Sequence, residues 1–264
     1  MNAFSPIGVF DSGVGGLTVL NQLRRLLPGE DFVYFGDTAR APYGPRPEAE
    51  IRKFVDEILA FLAGEGIKLA VVACNTITVL GIDSLRKNHK FLMVGMSKGA
   101  RLAANATRNG RVGVIATEGT IRSGAHVAEI KAFAPHLEVF PQACPMFAPA
   151  VEAENFAGPD LEQAAREYLA PLKAAGVDTV VLACTHYPLL TDLIAKIMGP
   201  EVTLLDPAAE TAQQAKELLH HHNLLNPSAK GSTRLYFSAD AARAERIASR
   251  LFDTSDCVFA TRSL

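Results

Sequence analysis

The 264-residue sequence contains no tryptophan and only four cysteines. No apolar run approaches the length of a membrane-spanning helix. The N-terminal Met1-Asn2-Ala3-Phe4-Ser5-Pro6 lacks the basic-then-apolar plan of a secretory signal. Neither sign of charge is in excess: 26 Lys and Arg face 28 Asp and Glu, a formal net charge of −2. With no basic cluster and no aromatic-basic interleaving, nucleic acid is excluded as an electrostatic partner. A soluble, cytoplasmic protein is expected. The cysteines, Cys74, Cys144, Cys184 and Cys257, include no CxxC pair, so neither a disulfide framework nor a zinc ribbon is indicated. They are either small buried hydrophobes or reactive thiols.

What the chain does have is apolar bulk. A hydrophobic fraction of 48 % supplies a large core and excludes a disordered chain. Short runs read as buried strands at 7–10, 32–35, 69–72, 91–94, 112–115, 137–140, 179–182, 202–205 and 234–237. Between them lie helical patterns. Ile51, Phe54, Val55, Ile58, Leu59 and Leu62 recur at helical spacing over 48–63, and a second stripe begins at Asp160 and stops at Gly176. Continuous apolar strands alternating with amphipathic helices predict an α/β fold with parallel sheets and functional loops at the strands' carboxyl ends.

The sequence repeats itself. Val71-Val72-Ala73-Cys74-Asn75-Thr76 recurs 110 residues on as Val181-Leu182-Ala183-Cys184-Thr185-His186, and 7–13 recurs loosely as 112–118. Two correspondences in the same order predict two copies of one α/β unit. The expected architecture is two pseudosymmetric parallel-sheet lobes with the active site in the cleft between them. The first is expected over 1–97 plus 210–264, carrying Asp11 and Cys74. The second is expected over 98–209, carrying Glu152, Cys184 and His186.

A thiol at the end of a strand and the start of a helix sits where the helix N-terminus favours the thiolate. A lone cysteine is more often inert packing, and that reading stands for Cys144 and Cys257. The repeated frame argues otherwise for Cys74 and Cys184. Two thiols flanking one small molecule suit inversion of a stereocentre, one removing a proton and the other returning one. Ser12, Asn75, Thr76, Thr117, Thr120 and Thr185 supply hydroxyls and an amide for carboxylates, although any single threonine is more often a helix cap. Asp11 suits an ammonium group or a neighbouring base, and His186 lies two residues after Cys184. The turn Asp11-Ser12-Gly13-Val14-Gly15-Gly16 is neither GxGxxG nor a Walker loop, and reads as a tight strand-to-helix turn allowing close approach of a ligand. The run His220-His221-His222 reads as a solvated face, with no metal expected.

These residues, with Tyr34-Phe35-Gly36-Asp37-Thr38-Ala39-Arg40-Ala41-Pro42-Tyr43-Gly44, Gly119-Thr120-Ile121-Arg122-Ser123-Gly124 and Ala183-Cys184-Thr185-His186-Tyr187-Pro188-Leu189-Leu190, resemble the signature blocks of glutamate racemases. The blocks follow family order over residues 7–190. The resemblance implies a cofactor-independent racemase supplying D-glutamate for peptidoglycan. It implies that Cys74 deprotonates D-glutamate and Cys184 L-glutamate, with Asp11 supporting Cys74 and His186 supporting Cys184. Glu152 matches a family carboxylate near the second thiol. Asp11-Ser12, Tyr43-Gly44, Asn75-Thr76 and Thr185-His186 match substrate-contacting pairs. Family members are often homodimers, and a homodimer is compatible with this chain.

Three departures stand out. Ile77-Thr78-Val79 is bulkier than the family's usual residues, Met96-Ser97-Lys98-Gly99-Ala100 replaces a Pro-Gly-Ala ending, and His126 stands where Tyr is common. The N-terminus lacks the extension some members use for activation by a cell-wall precursor, so no such activation is expected. The competing readings are an aspartate or broader amino-acid racemase, and a non-catalytic amino-acid-binding protein with two structural thiols.

Overall fold

Runs of Val, Ile, Leu and Phe bounded by Gly, Asp and Thr become strands because a parallel sheet covers them on both faces. The computed structural model describes residues 2–264, with Asp83 described in its backbone alone. All nine expected runs form strands: β1 (Ile7–Asp11), β2 (Phe32–Gly36), β3 (Leu69–Val72), β4 (Leu92–Gly95), β5 (Arg111–Ala116), β6 (Glu138–Ala143), β7 (Thr179–Leu182), β8 (Thr203–Leu205) and β9 (Thr233–Phe237). A tenth strand, β10 (Cys257–Thr261), lies outside the runs expected from the sequence.

The chain divides into two units, Met1–Met96 with Ala208–Leu264, and Ser97–Pro207. The first holds a six-stranded sheet in the order β10-β9-β2-β1-β3-β4, every pairing parallel. The second holds a four-stranded parallel sheet in the order β6-β5-β7-β8. The arrangement β2-β1-β3-β4 thus recurs as β6-β5-β7-β8, and the repeat survives in register. Ile7 pairs with Leu69 in one sheet and Val112 with Thr179 in the other. The Ala73 N–H donates to the Phe10 carbonyl at 2.8 Å, and the Ala183 N–H to the Ile115 carbonyl at 2.9 Å. Each thiol therefore follows a residue tied to the neighbouring strand in the same way.

Helices cover the sheets with the expected stripes. Glu48–Gly64 buries Ile51, Phe54, Val55, Ile58, Leu59 and Leu62. Burying one such side chain contributes about 1.5–3 kcal/mol, whereas helix propensities of ordinary residues span only about 0.7 kcal/mol. Packing, not propensity, holds this helix. Pro159–Ala174 buries Leu161, Ala164, Ala165, Leu169 and Leu172 and ends before Gly176, whose φ of +66° suits a residue without a side chain. Among the described residues, no helix is long and apolar enough to cross a membrane.

Two family departures are absorbed locally. Ile77 is buried in one apolar cluster with Cys74, Val72, Ile82 and Met93. Met96 accepts a bond at its sulfur from the Thr211 hydroxyl at 3.8 Å. The third, His126, is buried, and burial together with the Lys98 charge pushes its imidazole down to about 4.

Candidate active site

In the first unit the candidate residues lie at the carboxyl ends of β1, β2 and β3. Asp11 ends β1 and is fully buried. Its Oδ2 accepts from the Gly16 N–H at 2.7 Å, and its Oδ1 from the Ser12 hydroxyl at 3.4 Å. The Cys74 thiol donates to the Ser12 hydroxyl at 3.7 Å. A chain of side chains, Asp11–Ser12–Cys74, therefore links the ends of two adjacent strands. At Gly16 the close approach is to the chain itself: a Cβ there would lie 2.7 Å from the Asp11 Cβ and 2.9 Å from the Tyr34 hydroxyl. Cys74 caps the helix Asn75–Val79, with extended φ/ψ of −141°/119°, and its carbonyl accepts from the Thr78 N–H at 2.9 Å. Asn75 and Thr76 open that helix and are buried.

Tyr43 and Gly44 follow β2. The Tyr43 ring is buried in the apolar cluster that includes Cys74 and Phe10, 5.5 Å from the Phe54 ring. Its hydroxyl donates to Asp37, in a short bond. Asp37 also accepts from Arg40 at 2.6 Å and from the Ser238 hydroxyl at 2.8 Å, and the Arg40 guanidinium lies 4.0 Å over Phe54. Burial, reinforced by the Asp37 charge, holds the Tyr43 phenol far above its ordinary value, so it stays a donor. Asp37 and Arg40 carry no role in the sequence pattern. They stood inside a recognised block, but nothing in a linear reading shows which of them holds Tyr43.

In the second unit, Cys184 and His186 follow β7. Cys184 Sγ lies 3.7 Å from His186 Nδ1, and His186 Nε2 lies 2.7 Å from Glu152 Oε1. All three are buried. Glu152 reaches the pair from the end of the short helix Phe147–Glu152. Burial alone would push the imidazole down. The bonds to Cys184 and Glu152, and the charges behind them, win and raise His186 well above its ordinary value.

The expected helix start at Cys184 is not there. The residues after β7 make a turn, then a four-residue 3-10 segment, Tyr187–Leu190, with His186 at its cap, and the α-helix Thr191–Met198 begins only after it. Pro188 cannot donate a backbone hydrogen bond, and the Tyr187 N–H bonds the Cys184 carbonyl at 3.1 Å. The two thiols thus share a strand frame but not a helix. Thr185 is buried between Cys184 and His186. Thr117 follows β5 and caps the helix Glu118–Ser123: its oxygen accepts from the Thr120 N–H at 3.4 Å, and the two threonine hydroxyls lie 3.1 Å apart.

Cys144 is fully buried, and burial together with the Cys184 charge pushes its thiol far above the ordinary range. Cys257 sits on β10, its thiol pushed up to about 11 by burial. His220, His221 and His222 are all exposed. Among the described residues no group of three His, Cys, Asp or Glu is placed to hold a metal ion.

Residues 7–215 match the model of the Asp/Glu/hydantoin racemase family. The glutamate racemase of Geobacter metallireducens is 48 % identical over 238 residues, covering 90 % of this chain and 88 % of that protein. That of Chlorobaculum parvum is 43 % identical over 254 residues, covering 96 % and 93 %. Among solved structures, a glutamate racemase isoform from Bacillus anthracis superposes with a TM-score of 0.88 at 36 % identity, covering 98 % of this chain and 97 % of the other. The Francisella tularensis glutamate racemase in complex with D-glutamate gives 0.87 at 32 %, covering 99 % and 98 %.

Proposed function

The chain belongs to the Asp/Glu/hydantoin racemase family, it racemises glutamate, and we propose that it does so with Cys74 and Cys184 as acid–base thiols acting on opposite faces of one α-carbon. The observation that carries this reading is the line Cys184–His186–Glu152, with spacings of 3.7 and 2.7 Å. An imidazolium held by a buried carboxylate stabilises a thiolate beside it, which is the form a base needs. Cys74 has its own polar link, to Ser12 and through it to Asp11.

In the L-to-D direction, the Cys184 thiolate takes the α-proton while the Cys74 thiol delivers one to the opposite face. The enzyme then holds its protons the other way round and is set for D-glutamate. The proton taken stays on Cys184 and the one delivered comes from Cys74, so the bonding electron pair never leaves the substrate. The α-carbon is a weak acid, so the carbanion between the two steps is high in energy and donors must meet its charge. Ser12, Asn75, Thr76 and Thr185 are the proposed donors to the carboxylates, with Tyr43, Gly44, Thr117 and Thr120 as further contacts. Asp11 and His186 support the two thiols and contact the substrate. Both thiols must remain reduced to work, which accords with a cytoplasmic enzyme supplying D-glutamate for peptidoglycan synthesis.

The test is racemisation of each glutamate enantiomer in deuterium oxide, followed by NMR at the α-position. The product is expected to carry one solvent deuteron, and Cys74→Ala and Cys184→Ala are each expected to abolish turnover. Wild-type turnover in either variant sinks the two-thiol assignment. Aspartate racemised as fast as glutamate overturns the choice of substrate.

A further inference from the structure

We propose that Tyr187 is a positioning residue for the reaction, clamping the start of the helix that carries Glu152 so that Glu152 meets His186. The inference rests on the reading of Cys184 and His186 given above. Tyr187 is fully buried and directly follows His186 in the chain. Its hydroxyl donates to the Cys144 carbonyl at 2.9 Å. That same carbonyl accepts from the Phe147 N–H at 3.2 Å, the first residue of the helix Phe147–Glu152. The Tyr187 ring meets the Phe147 ring edge-on at 5.2 Å.

The helix is therefore gripped at both ends by neighbouring residues of one turn. Tyr187 holds its beginning through the Cys144 carbonyl and the Phe147 ring, and His186 holds its end through Glu152. Because the Tyr187 N–H also bonds the Cys184 carbonyl at 3.1 Å, the thiol, the imidazole and the carboxylate share one clamp. Charge-assisted bonds are short and directional, so a carboxylate that drifts or turns away from the imidazole weakens its hold on it. The ionisable groups facing this clamp are Cys144, Cys184 and Tyr168 on the tyrosine side, and Cys184 and Glu152 on the histidine side. Burial and the neighbouring thiol charges hold the Tyr187 phenol well above its ordinary value, so it remains a donor throughout the working pH range.

Tyr187→Phe keeps the ring and removes the bond. Full-length Tyr187→Phe is compared with wild type by NMR titration of His186 and by steady-state kinetics. The His186 midpoint is expected to move down, and kcat to fall about three- to tenfold, the worth of one neutral hydrogen bond, with KM little changed. Tyr236→Phe removes a phenol on β9, 5.3 Å from the Phe61 ring and away from this helix, and is expected to leave the His186 midpoint in place. An unmoved midpoint and kcat in Tyr187→Phe, or an equal shift in Tyr236→Phe, overturns the proposal. Should Tyr187→Phe not fold, Phe147→Leu removes the ring contact instead. A lowered His186 midpoint there supports the clamp, and an unmoved one overturns it. Turnover by Cys184→Ala, by contrast, would overturn the catalytic reading and leave the titration result standing.

Discussion

Glu152 Oε1 lies 2.7 Å from His186 Nε2, and the two are drawn together from positions 34 residues apart. The other imidazole nitrogen faces Cys184 Sγ at 3.7 Å, so whatever Glu152 does to the ring is passed to the thiol. A carboxylate on one side of an imidazole favours its charged form, and a charged imidazole favours a thiolate on the other.

Glu152→Gln keeps the shape of that contact and removes its charge. A hydrogen bond to a charged group contributes about 1.5–3 kcal/mol, so kcat/KM is expected to fall on the order of tenfold to hundredfold. The two enantiomers have equal free energy in water, so the fall must be the same from L- and from D-glutamate. The sign of the pH effect follows from the raised His186 value. A group raised on folding adds stability that is complete below its unfolded value, near 6.5. That stability is lost as pH rises through the higher folded value. The difference in Tm between wild type and Glu152→Gln is therefore expected to be largest near about pH 6 and to shrink on the alkaline side. Thermal melts across pH check this, and a gap that widens with pH contradicts it.

Much of this site was legible in the sequence because it lies where apolar runs end. Cys74 and Cys184 each stand two residues beyond such a run, and the repeat predicted two copies of one α/β unit, whose pairs β1 with β3 and β5 with β7 share a register. Glu152 was reachable only through the family resemblance. It sits on a six-residue helix far along the chain from His186, and no periodicity links the two. The symmetry itself misled at Cys184, where Pro188 and the 3-10 segment replace the helix that Cys74 caps. Asp37 escaped notice because its grip on Tyr43 depends on how the loop 37–44 folds back. The edge strand β10 escaped because five residues, covered on one side by β9, leave only a short and partly exposed pattern.

Gly16 tests the turn between β1 and the helix Leu17–Leu26. The space beside its Cα is taken by Asp11, the Tyr34 hydroxyl and the Ala73 methyl, the last 3.1 Å from where a Cβ would stand. None of the three is the free end of a flexible chain: Tyr34 is itself bonded to the Gly13 carbonyl at 2.7 Å. Gly16→Ala must therefore displace Asp11, whose Oδ2 is held by the Gly16 N–H. Overpacking of this kind costs about 1–3 kcal/mol. Activity is expected to fall further than stability, since the displaced group supports Cys74. Kinetics alongside denaturant unfolding distinguish the two, and wild-type kcat in a folded Gly16→Ala removes Asp11 from the mechanism.

Lys68 offers the opposite case, a buried charge far from the chemistry. It precedes β3, at the end of the sheet away from Cys74, and its ammonium lies 2.5 Å from Glu30, with both side chains almost wholly buried. Glu30 also accepts from the Asn226 N–H at 2.8 Å. Lys68→Met keeps the stem and deletes the charge, leaving a carboxylate buried without its counterion. Breaking such a pair from one side costs about 3–5 kcal/mol, whereas replacing both partners by apolar groups is often close to neutral. Lys68→Met is therefore expected to be strongly destabilised, and Lys68→Met combined with Glu30→Leu to recover most of the loss. Because neither residue touches the thiols, kcat measured on the folded fraction should match wild type in both. The Lys68 ammonium also donates to the Ala3 carbonyl, so a double variant no more stable than the single one would mean that the bonds to Asn226 and Ala3, and not the ion pair, hold this end of the sheet.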